Sequence, residues 1–268
     1  MKISVIIPTY KPQAYIWECL DSLVNQTFAK DEFEIILVLN GCKEPYESEI
    51  RSYLAKHFDL CVNFIQINRG GVSNARNVAL DVARGEYVTF IDDDDYVSPS
   101  FLEELYAKAS PNTISLCYPY EFFDGKPLVQ LVSGITKTYE KLSGIGRQNF
   151  LKSRKYFSGP CMKLIPMSFI HSRRFDTRFA NGEDSIFMFL ISDKFKYVDY
   201  TPKYAIYYRR FRDNSAVTRK RRILDRIRTI FSCLREYTKI YFTGGYDIVF
   251  YLIRIAAEIK CIIQTLIR

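Results

Sequence analysis

The chain has 268 residues, 48% of them hydrophobic and 15% aromatic, and a formal net charge of +8. This content supports a large buried core and excludes a disordered protein. The seven cysteines are scattered, odd in number and never spaced Cys-x-x-Cys, which argues against a disulfide framework or a zinc site and indicates a reducing cytoplasm.

The two ends of the chain indicate neither a secretion signal nor a membrane span. The opening segment "MKISVIIPTY" is apolar for only a few residues and has no small-residue cleavage site, so it predicts a first strand. Near the C-terminus the apolar runs are interrupted by Arg254, Glu258 and Lys260, which leaves them shorter than the ~18 apolar residues of a spanning helix. We therefore expect a cytoplasmic protein.

Over the first hundred residues, short β-rich runs alternate with segments of helical period. The runs that predict strands are, in chain order, "KISVIIP", "FEIILVL", "LCVNFIQI" and "EYVTFI". Three segments predict helices. The first carries Ile16, Leu20, Leu23 and Val24 on one face, the second extends over roughly Tyr46 to His57, and the third turns Val72, Ala75, Ala79 and Val82 inward. This alternation predicts an α/β fold with a mostly parallel central sheet flanked by helices.

Polar residues follow these strands at the edge where open α/β sheets bind ligands, beyond the carboxyl ends of the strands. Thr9 and Tyr10 follow the first strand, Asn40 ends the second, and Asp92 begins a run of four aspartates after the fourth. The loop before Arg76 comes to the same edge. We expect these residues to surround one binding site.

The run "FIDDDDYVS" brings four carboxylates together, and their mutual repulsion is costly unless a positive species is present. An Asp-x-Asp arrangement suits Mg²⁺ or Mn²⁺, which also binds phosphate oxygens, so the run predicts a metal–diphosphate site. The alternative is a solvated acidic turn before a helix, with Ser98 as N-cap and Pro99 as first helical residue. The absence of a central glycine and a distal glutamate argues against a calcium loop.

Seven segments, in this order, resemble those of the family 2 inverting glycosyltransferases of GT-A fold. They are "SVIIPTY", "QTF", "EIILVLNG", "GVSNARN", "GEYVTFIDDDD", "NGEDSIF" and "YYRRFRDNSAVT". The resemblance covers about residues 2–218. It implies a Rossmann-like GT-A catalytic domain at 1–218, with a nucleotide-binding half at about 1–110 and an acceptor half at about 111–218, followed by basic amphipathic C-terminal helices at 219–268.

The resemblance also implies a donor site. The nucleotide-binding positions that it implies are Pro8, Thr9, Tyr10, Asn40, Asn74, Arg76, Asp92 and Asp93. Asp94 corresponds to the direct metal ligand, with Asp92 beside it, and the metal is Mn²⁺ or Mg²⁺. Asp95 is interpreted as a charge at the start of the next helix. The structural alternatives are a simple turn for Thr9 and Tyr10 and a helix-surface position for Arg76.

The second strand departs from the family pattern. The family has two aspartates before the glycine, where this chain has Leu39 and Asn40. Leucine cannot accept a hydrogen bond, whereas the Asn40 amide has both a donor and an acceptor for a uracil edge. We expect a UDP-sugar from family frequency alone, and the base and the sugar stay open.

An inverting transfer needs a base that deprotonates the acceptor hydroxyl on the face opposite the leaving nucleotide. Asp184 matches the family's base, and Glu183 is beside it; the alternative for both is a helix N-terminal charge without chemical role. Arg209, Ser215 and Thr218 match family positions on the acceptor or diphosphate side. A solvated basic strand edge is the alternative for these three.

The remaining segments are less specific. Residues 111–178 are rich in aromatic residues that suit either sugar rings or a core, and Lys163 matches a family lysine without an assigned role. Two further helices are predicted at Arg221 to Tyr241 and Tyr246 to Ile267. The apolar stripe and basic residues of the second predict contact with an anionic membrane surface, with a second subunit in a homodimer, or with the catalytic domain. The sequence leaves these three open.

We therefore predict a metal-dependent inverting hexosyltransferase that moves one sugar from a nucleotide-sugar donor to a saccharide acceptor. A lipid-linked acceptor would place it on the inner face of the cytoplasmic membrane, in cell-surface polysaccharide biosynthesis. Nucleic acid is not an expected partner, because the carboxylate cluster would repel phosphate. Two alternatives remain: a catalytically idle nucleotide-binding scaffold of a membrane-associated assembly, which the altered Leu39–Asn40 pair favours, and a metal-dependent nucleotidyltransferase.

Overall fold

The computed structural model describes residues 1–212 and 223–266. The segment of residues 3–90 alternates strands and helices in the predicted order. These elements are β1 (Ile3–Thr9), α1 (Tyr15–Val24), β2 (Phe33–Asn40), α2 (Tyr46–Leu54), β3 (Val62–Ile67), α3 (Val72–Val82) and β4 (Tyr87–Phe90). The four strands are parallel, in the order β3-β2-β1-β4. Every residue of β1 and β2 is buried, as expected of strands covered on both faces.

The segment of residues 96–211 extends this sheet and adds a smaller one. Its elements are β5 (Tyr96–Val97), α4 (Phe101–Ala107), β6 (Thr113–Leu116), β7 (Tyr118–Phe123), α5 (Gly134–Leu142), β8 (Gln148–Asn149), β9 (Lys163–Pro166), α6 (Met167–Ile170), α7 (Glu183–Leu190), β10 (Tyr197–Tyr200) and β11 (Ile206–Phe211), with 3-10 segments at Ser143–Ile145 and Phe150–Ser158. The large sheet continues β4-β9-β6-β10-β8, and β9 is antiparallel to both neighbours. The small sheet has the order β5-β11-β7.

Three local predictions are wrong. Ser98 does not cap a helix: α4 begins at Phe101, and the Ser98 hydroxyl accepts a hydrogen bond from the Ile206 N–H at 2.8 Å. Asp95 therefore precedes a strand, β5, rather than a helix start. Val82 is 38% exposed, because it is the last residue of α3.

The C-terminal segment forms α8 (Ile223–Tyr241) and α9 (Ile248–Leu266), which correspond to the two predicted helices. Both pack on the catalytic domain. The Tyr237 hydroxyl of α8 lies 2.6 Å from the Ser185 hydroxyl of α7. Phe250 of α9 is fully buried, with its ring centre 5.2 Å from that of Phe150. Within the described part of the chain, no helix is long and apolar enough to cross a membrane.

Candidate active site

A cavity of about 680 Å³ opens beyond the carboxyl ends of β1, β2 and β4, where the sequence predicts the donor site. We call it the donor cavity, and its volume is in the range of small-molecule sites. The predicted residues that line it are Pro8, Thr9, Tyr10, Asn40, Asp92, Asp93 and Asp94. The structure therefore brings together seven residues from three strand ends.

Asn40 is tied to the backbone at both ends of its amide. Its Nδ2 donates to the Thr9 carbonyl at 2.7 Å, and its Oδ1 accepts from the Gly71 N–H at 2.9 Å. The next residue, Gly41, lies against Gly70, where a Cβ on Gly41 would be 2.8 Å from the Gly70 Cα. Asn40 thus fixes the end of β1 to the loop before α3, and Gly41 permits the close approach of the two backbones.

The three aspartates at the mouth of the donor cavity carry excess negative charge. Burial raises the pKa of Asp93 to about 7, and the hydrogen bond from the Thr9 hydroxyl opposes this rise. Burial also raises the pKa of Asp94, with Asp92 acting in the same direction and Arg212 against it. The Arg212 Nε donates to an Asp94 carboxylate oxygen at 2.7 Å. A bound cation would relieve the remaining repulsion.

The donor set fits a divalent ion that takes further ligands from a diphosphate. Over residues 1–212 and 223–266, no three aspartate, glutamate, cysteine or histidine side chains converge to hold a metal by themselves. Asp92 and Asp94 therefore supply at most two protein ligands. Mg²⁺ is commonly held by one or two carboxylates with substrate phosphates and water, and oxygen donors also suit Mn²⁺.

Arg76 bridges the aspartate run and the predicted base. It is buried, and its two terminal nitrogens bind separate carboxylates, Asp92 at 2.9 Å and Asp184. Burial alone would lower the pKa of Arg76. The charges of Asp184 and Asp92 outweigh this effect and raise the pKa above its ordinary value, so the guanidinium stays charged. The resemblance implied a nucleotide contact for this arginine. The structure shows in addition that Arg76 connects Asp184 to the donor side.

A second cavity of about 110 Å³, which we call the acceptor cavity, adjoins the first at Asp92. Asp184, Arg209 and the loop of residues 158–162 line it as well. A Cβ on Gly159 would lie 3.8 Å from the Asp184 carboxylate, so the loop backbone passes close to this group. Asp92 thus lies between the two cavities, and Asp184 lines only the acceptor cavity.

Asp184 and Glu183 are the first two residues of α7, which follows Gly182 in a left-handed conformation. Burial raises the pKa of Asp184, and the charge of Arg76 opposes this. Burial and the neighbouring Asp184 raise the pKa of Glu183 to about 7. One carboxylate oxygen of Glu183 is buried and has no hydrogen-bond partner among the described residues. Both carboxyl groups therefore bind protons more readily than ordinary surface carboxylates.

Arg209 and Arg210 of β11, and Arg212 directly after it, contact different parts of the site. Arg209 lines the acceptor cavity and lies 3.2 Å from the buried Glu121. Arg210 donates to the Asp94 carbonyl at 2.8 Å, so it braces the aspartate run from behind. Arg212, which the sequence reasoning missed, lines the donor cavity. Arg212 follows β11 directly, and the available signal was only its place in the basic run "RRFR".

Lys163 is a second residue whose role the sequence did not show. It is fully buried at the start of β9, and its Nζ donates to the Gly159 carbonyl at 2.6 Å and the Cys161 carbonyl at 2.5 Å. Burial lowers its pKa to about 8. Lys163 therefore holds the loop that lines the acceptor cavity. A lysine within the apolar run "MKLIP" was the available signal.

Three predicted residues that the structure describes, Asn74, Arg76 and Glu183, line neither cavity, although Arg76 binds Asp92 and Asp184, which do. Asn74 lines a neighbouring cavity beside α3, and its Nδ2 donates to the Arg69 carbonyl at 3.0 Å. Ser215 and Thr218 lie outside the described residues. The predictions for these positions stay predictions.

The parallel sheet, the acidic residues after β4 and the carboxylate at the start of α7 define a nucleotide-binding α/β protein of GT-A fold. The family model of "Glycosyl transferase family 2" matches residues 4–173. This protein belongs to that family, as its seven sequence segments indicated. The predicted fold class is likewise confirmed by solved structures.

One such structure is that of Staphylococcus aureus TarS 1–349 in complex with UDP-GlcNAc, with a TM-score of 0.74 and 24% identity. The matched region covers 97% of this chain and 72% of the TarS chain. A mannosyltransferase from Pyrobaculum calidifontis, in complex with GDP-Man and Mn²⁺, has a TM-score of 0.62 and 18% identity, over 98% and 68% of the two chains. At these identities the structures show the shared fold.

Among curated relatives, a poly(ribitol-phosphate) β-glucosyltransferase from Bacillus spizizenii is 31% identical over 78% of this chain. A GalNAc(5)-diNAcBac-PP-undecaprenol β-1,3-glucosyltransferase from Campylobacter jejuni is 30% identical over 80% of it. The chain spans 32% of the Bacillus protein and 66% of the Campylobacter protein. The relatives are thus longer than the segment they share with this chain.

Proposed function

We propose that this protein is a metal-dependent inverting glycosyltransferase that moves one hexosyl unit from a UDP-sugar to a hydroxyl of a saccharide acceptor. The position of Asp184 carries this proposal. Asp184 is bound through Arg76 to Asp92, and Asp92 lines both the donor and the acceptor cavity. Asp184 therefore lines the acceptor cavity and is held through Arg76 to the residue that the two cavities share.

In the proposed reaction, Asp184 takes the proton of the acceptor hydroxyl as that oxygen attacks the anomeric carbon of the sugar. The new carbon–oxygen bond forms on the face opposite the diphosphate. The bond to the diphosphate breaks, and its electron pair leaves with the nucleotide, so the configuration inverts. Asp94 and Asp92 would hold Mg²⁺ or Mn²⁺, which would supply positive charge that stabilises the leaving group.

Arg76 keeps the base ready for this step. Because its charge favours the ionised form of Asp184, it opposes the effect of burial, which would otherwise protonate the base. Its second bond, to Asp92, orients the same guanidinium from the donor side. Arg76 is therefore a positioning residue between the two cavities in this proposal.

A UDP-sugar is the proposed donor. TarS was solved in complex with UDP-GlcNAc and with UDP, and its fold matches nearly the whole chain. The position where the family has an aspartate for the base is Leu39 here, and it is fully buried. Asn40 lines the cavity, but its amide already bonds to Thr9 and Gly71. We propose that Asn40 shapes the base site through these bonds.

A lipid-linked saccharide is the proposed acceptor, used in cell-surface polysaccharide synthesis on the inner face of the cytoplasmic membrane. The names of the two curated relatives support this: the first gives a poly(ribitol-phosphate) and the second an undecaprenol-linked glycan. Neither name fixes the sugar or the linkage for this chain.

Calorimetric titration with UDP, GDP, CMP and dTDP, in Mn²⁺ and again in EDTA, tests the donor site. The proposal expects metal-dependent binding of UDP that is lost in Asp94→Ala. UDP-sugars are then screened for donor hydrolysis, with Asp184→Asn as the inactive control. No nucleotide binding under either condition would contradict the proposal.

The same assay separates the two alternatives. A catalytically idle scaffold would bind UDP but release no sugar from any donor, with or without saccharides. A nucleotidyltransferase would form pyrophosphate from a nucleoside triphosphate. Release of sugar together with UDP, and without pyrophosphate, is the result that the transferase proposal requires.

A further inference from the structure

The outer face of α9 carries an exposed apolar stripe that no other described part of the chain covers. Its members recur at alternating spacings of three and four residues, which places them on one side of the helix. They are Val249, Leu252, Ala256, Ile259 and Ile263, and the four larger ones are 47–55% exposed. Isolated exposed apolar residues are ordinary, but a continuous row along a 19-residue helix is not.

The opposite face of α9 braces the acceptor side of the site. Phe250 packs among aromatic rings of the 3-10 segment Phe150–Ser158 and of α7. The buried Arg254 donates to the Phe157 carbonyl. Residues 158–162, which follow directly, line the acceptor cavity. A surface that binds the outer face of α9 would therefore lie against the element that supports the acceptor cavity.

The exposed charge of α9 is positive. Of the three charged residues of α9, Arg254 is buried, Glu258 is half-buried, and only Lys260 is exposed. Burial and Glu258 raise the pKa of the Cys261 thiol, while Arg226 of α8 and Lys260 act against this rise. Lys260 thus lies beside the C-terminal half of the stripe.

A helix of a second copy fits this face poorly. In soluble coiled coils the positions beside the seam carry paired acidic and basic side chains. The corresponding positions of α9 are Ile253, Ile255, Lys260 and Ile262. Two copies would oppose like charges at Lys260 without an exposed acidic partner on α9, and would leave the isoleucines at the edge of the contact in water.

We propose that the outer face of α9 docks in the plane of an anionic lipid bilayer. The stripe inserts among the acyl chains at the headgroup boundary, and Lys260 contacts the lipid phosphates. Docking also holds the acceptor cavity near the bilayer, because Arg254 of α9 bonds to Phe157 and the next residues line this cavity. This inference deepens the proposed lipid-linked acceptor, but vesicle binding itself does not depend on the transferase activity.

Flotation of the whole chain with two kinds of vesicle tests the docking surface. One kind contains phosphatidylcholine alone, and the other contains equal parts of phosphatidylcholine and phosphatidylglycerol. Three proteins are compared: the wild type, the double variant Ile259→Glu/Ile263→Glu, and the control Phe58→Glu/Val129→Glu. The control adds the same charge at exposed apolar residues elsewhere, 91% and 66% exposed. Circular dichroism and thermal unfolding verify that all three are folded.

The proposal expects the wild type and the control to float with the anionic vesicles, and the double variant to partition at least about tenfold more weakly. Equal flotation of the double variant and the wild type would overturn it. So would equally strong binding to phosphatidylcholine alone, since the charges would then contribute nothing.

Light scattering without vesicles tests the other occupant. A wild-type dimer that the double variant dissociates, combined with no flotation of the wild type, would assign the stripe to a second copy and overturn the lipid proposal. Because flotation requires no donor or acceptor, a failed transferase assay together with positive flotation would reject the proposed function and leave the docking surface intact.

Discussion

The donor cavity and the acceptor cavity are built in different ways. The donor cavity is formed by residues at the ends of neighbouring parallel strands, so a few short sequence segments reach it together. The acceptor cavity depends on two long-range contacts, Arg76 with Asp184 and Arg209 with Glu121, and on the bonds of Lys163 to its own loop. Changes on the donor side should therefore affect nucleotide binding, and changes on the acceptor side should affect turnover or stability.

Asp184→Asn is expected to have the largest effect. Loss of a general base typically costs a factor of about 10²–10⁴ in rate, so kcat should fall by this order while UDP affinity stays unchanged. Initial rates and UDP titrations on the same preparation measure both. Asp59→Asn, at a partly exposed carboxylate on the nucleotide-binding half, is the matched control. A loss of UDP affinity equal to the loss of rate would show that the two cavities are not separable.

Asp94→Asn, in contrast to Asp184→Asn, should lower UDP affinity. We expect UDP affinity in Mn²⁺ to fall by more than about tenfold, because loss of even an outer partner of a metal ligand costs about this much. Affinity in EDTA should not change. Calorimetry in both conditions measures the difference, and an equal loss in both would mean that Asp94 does not act through a metal.

Glu183→Gln should change the pH dependence of stability. The folded-state pKa of Glu183 is raised to about 7, so the stability that its protonated form contributes is fully present below the unfolded pKa and is lost as pH rises through about 7. Between pH 5 and pH 8, the free energy of unfolding of the variant should rise by about 2 kcal/mol relative to that of the wild type. Urea unfolding at the two pH values measures this. If the free energy of unfolding changed equally with pH in both proteins, Glu183 would lie in a more open environment.

Lys163→Met should have the smallest effect. It removes two hydrogen bonds from a buried ammonium group and leaves the Gly159 and Cys161 carbonyls without this donor, which costs about 1–2 kcal/mol of folding stability. We expect kcat to fall as the loop loosens, with UDP affinity unchanged. Denaturant unfolding and donor titration measure the two. Reduced UDP affinity would contradict the assignment of Lys163 to the acceptor side.

The sequence predicts the donor side better than the acceptor side for a physical reason. Asp92, Asp93 and Asp94 follow a strand whose end is visible in the hydrophobic pattern, and parallel pairing then fixes their place. Arg212 is placed by its bond to Asp94, which is far away in the chain, and the local pattern does not record this contact. Lys163 bonds to carbonyls only two and four residues before it, so its role depends on the folded conformation of that loop. Ser98 shows the same limit, because a long-range bond to Ile206 replaced the expected helix cap.

The configuration of the released sugar tests the central claim most directly. Slow hydrolysis of a UDP-sugar uses water in place of the acceptor, so it requires no knowledge of the natural acceptor. Proton NMR of the first product from an α-linked UDP-sugar should show the β-anomer, and Asp184→Asn should abolish its release. The α-anomer as the first product would contradict attack from the side opposite the diphosphate, and with it the role assigned to Asp184.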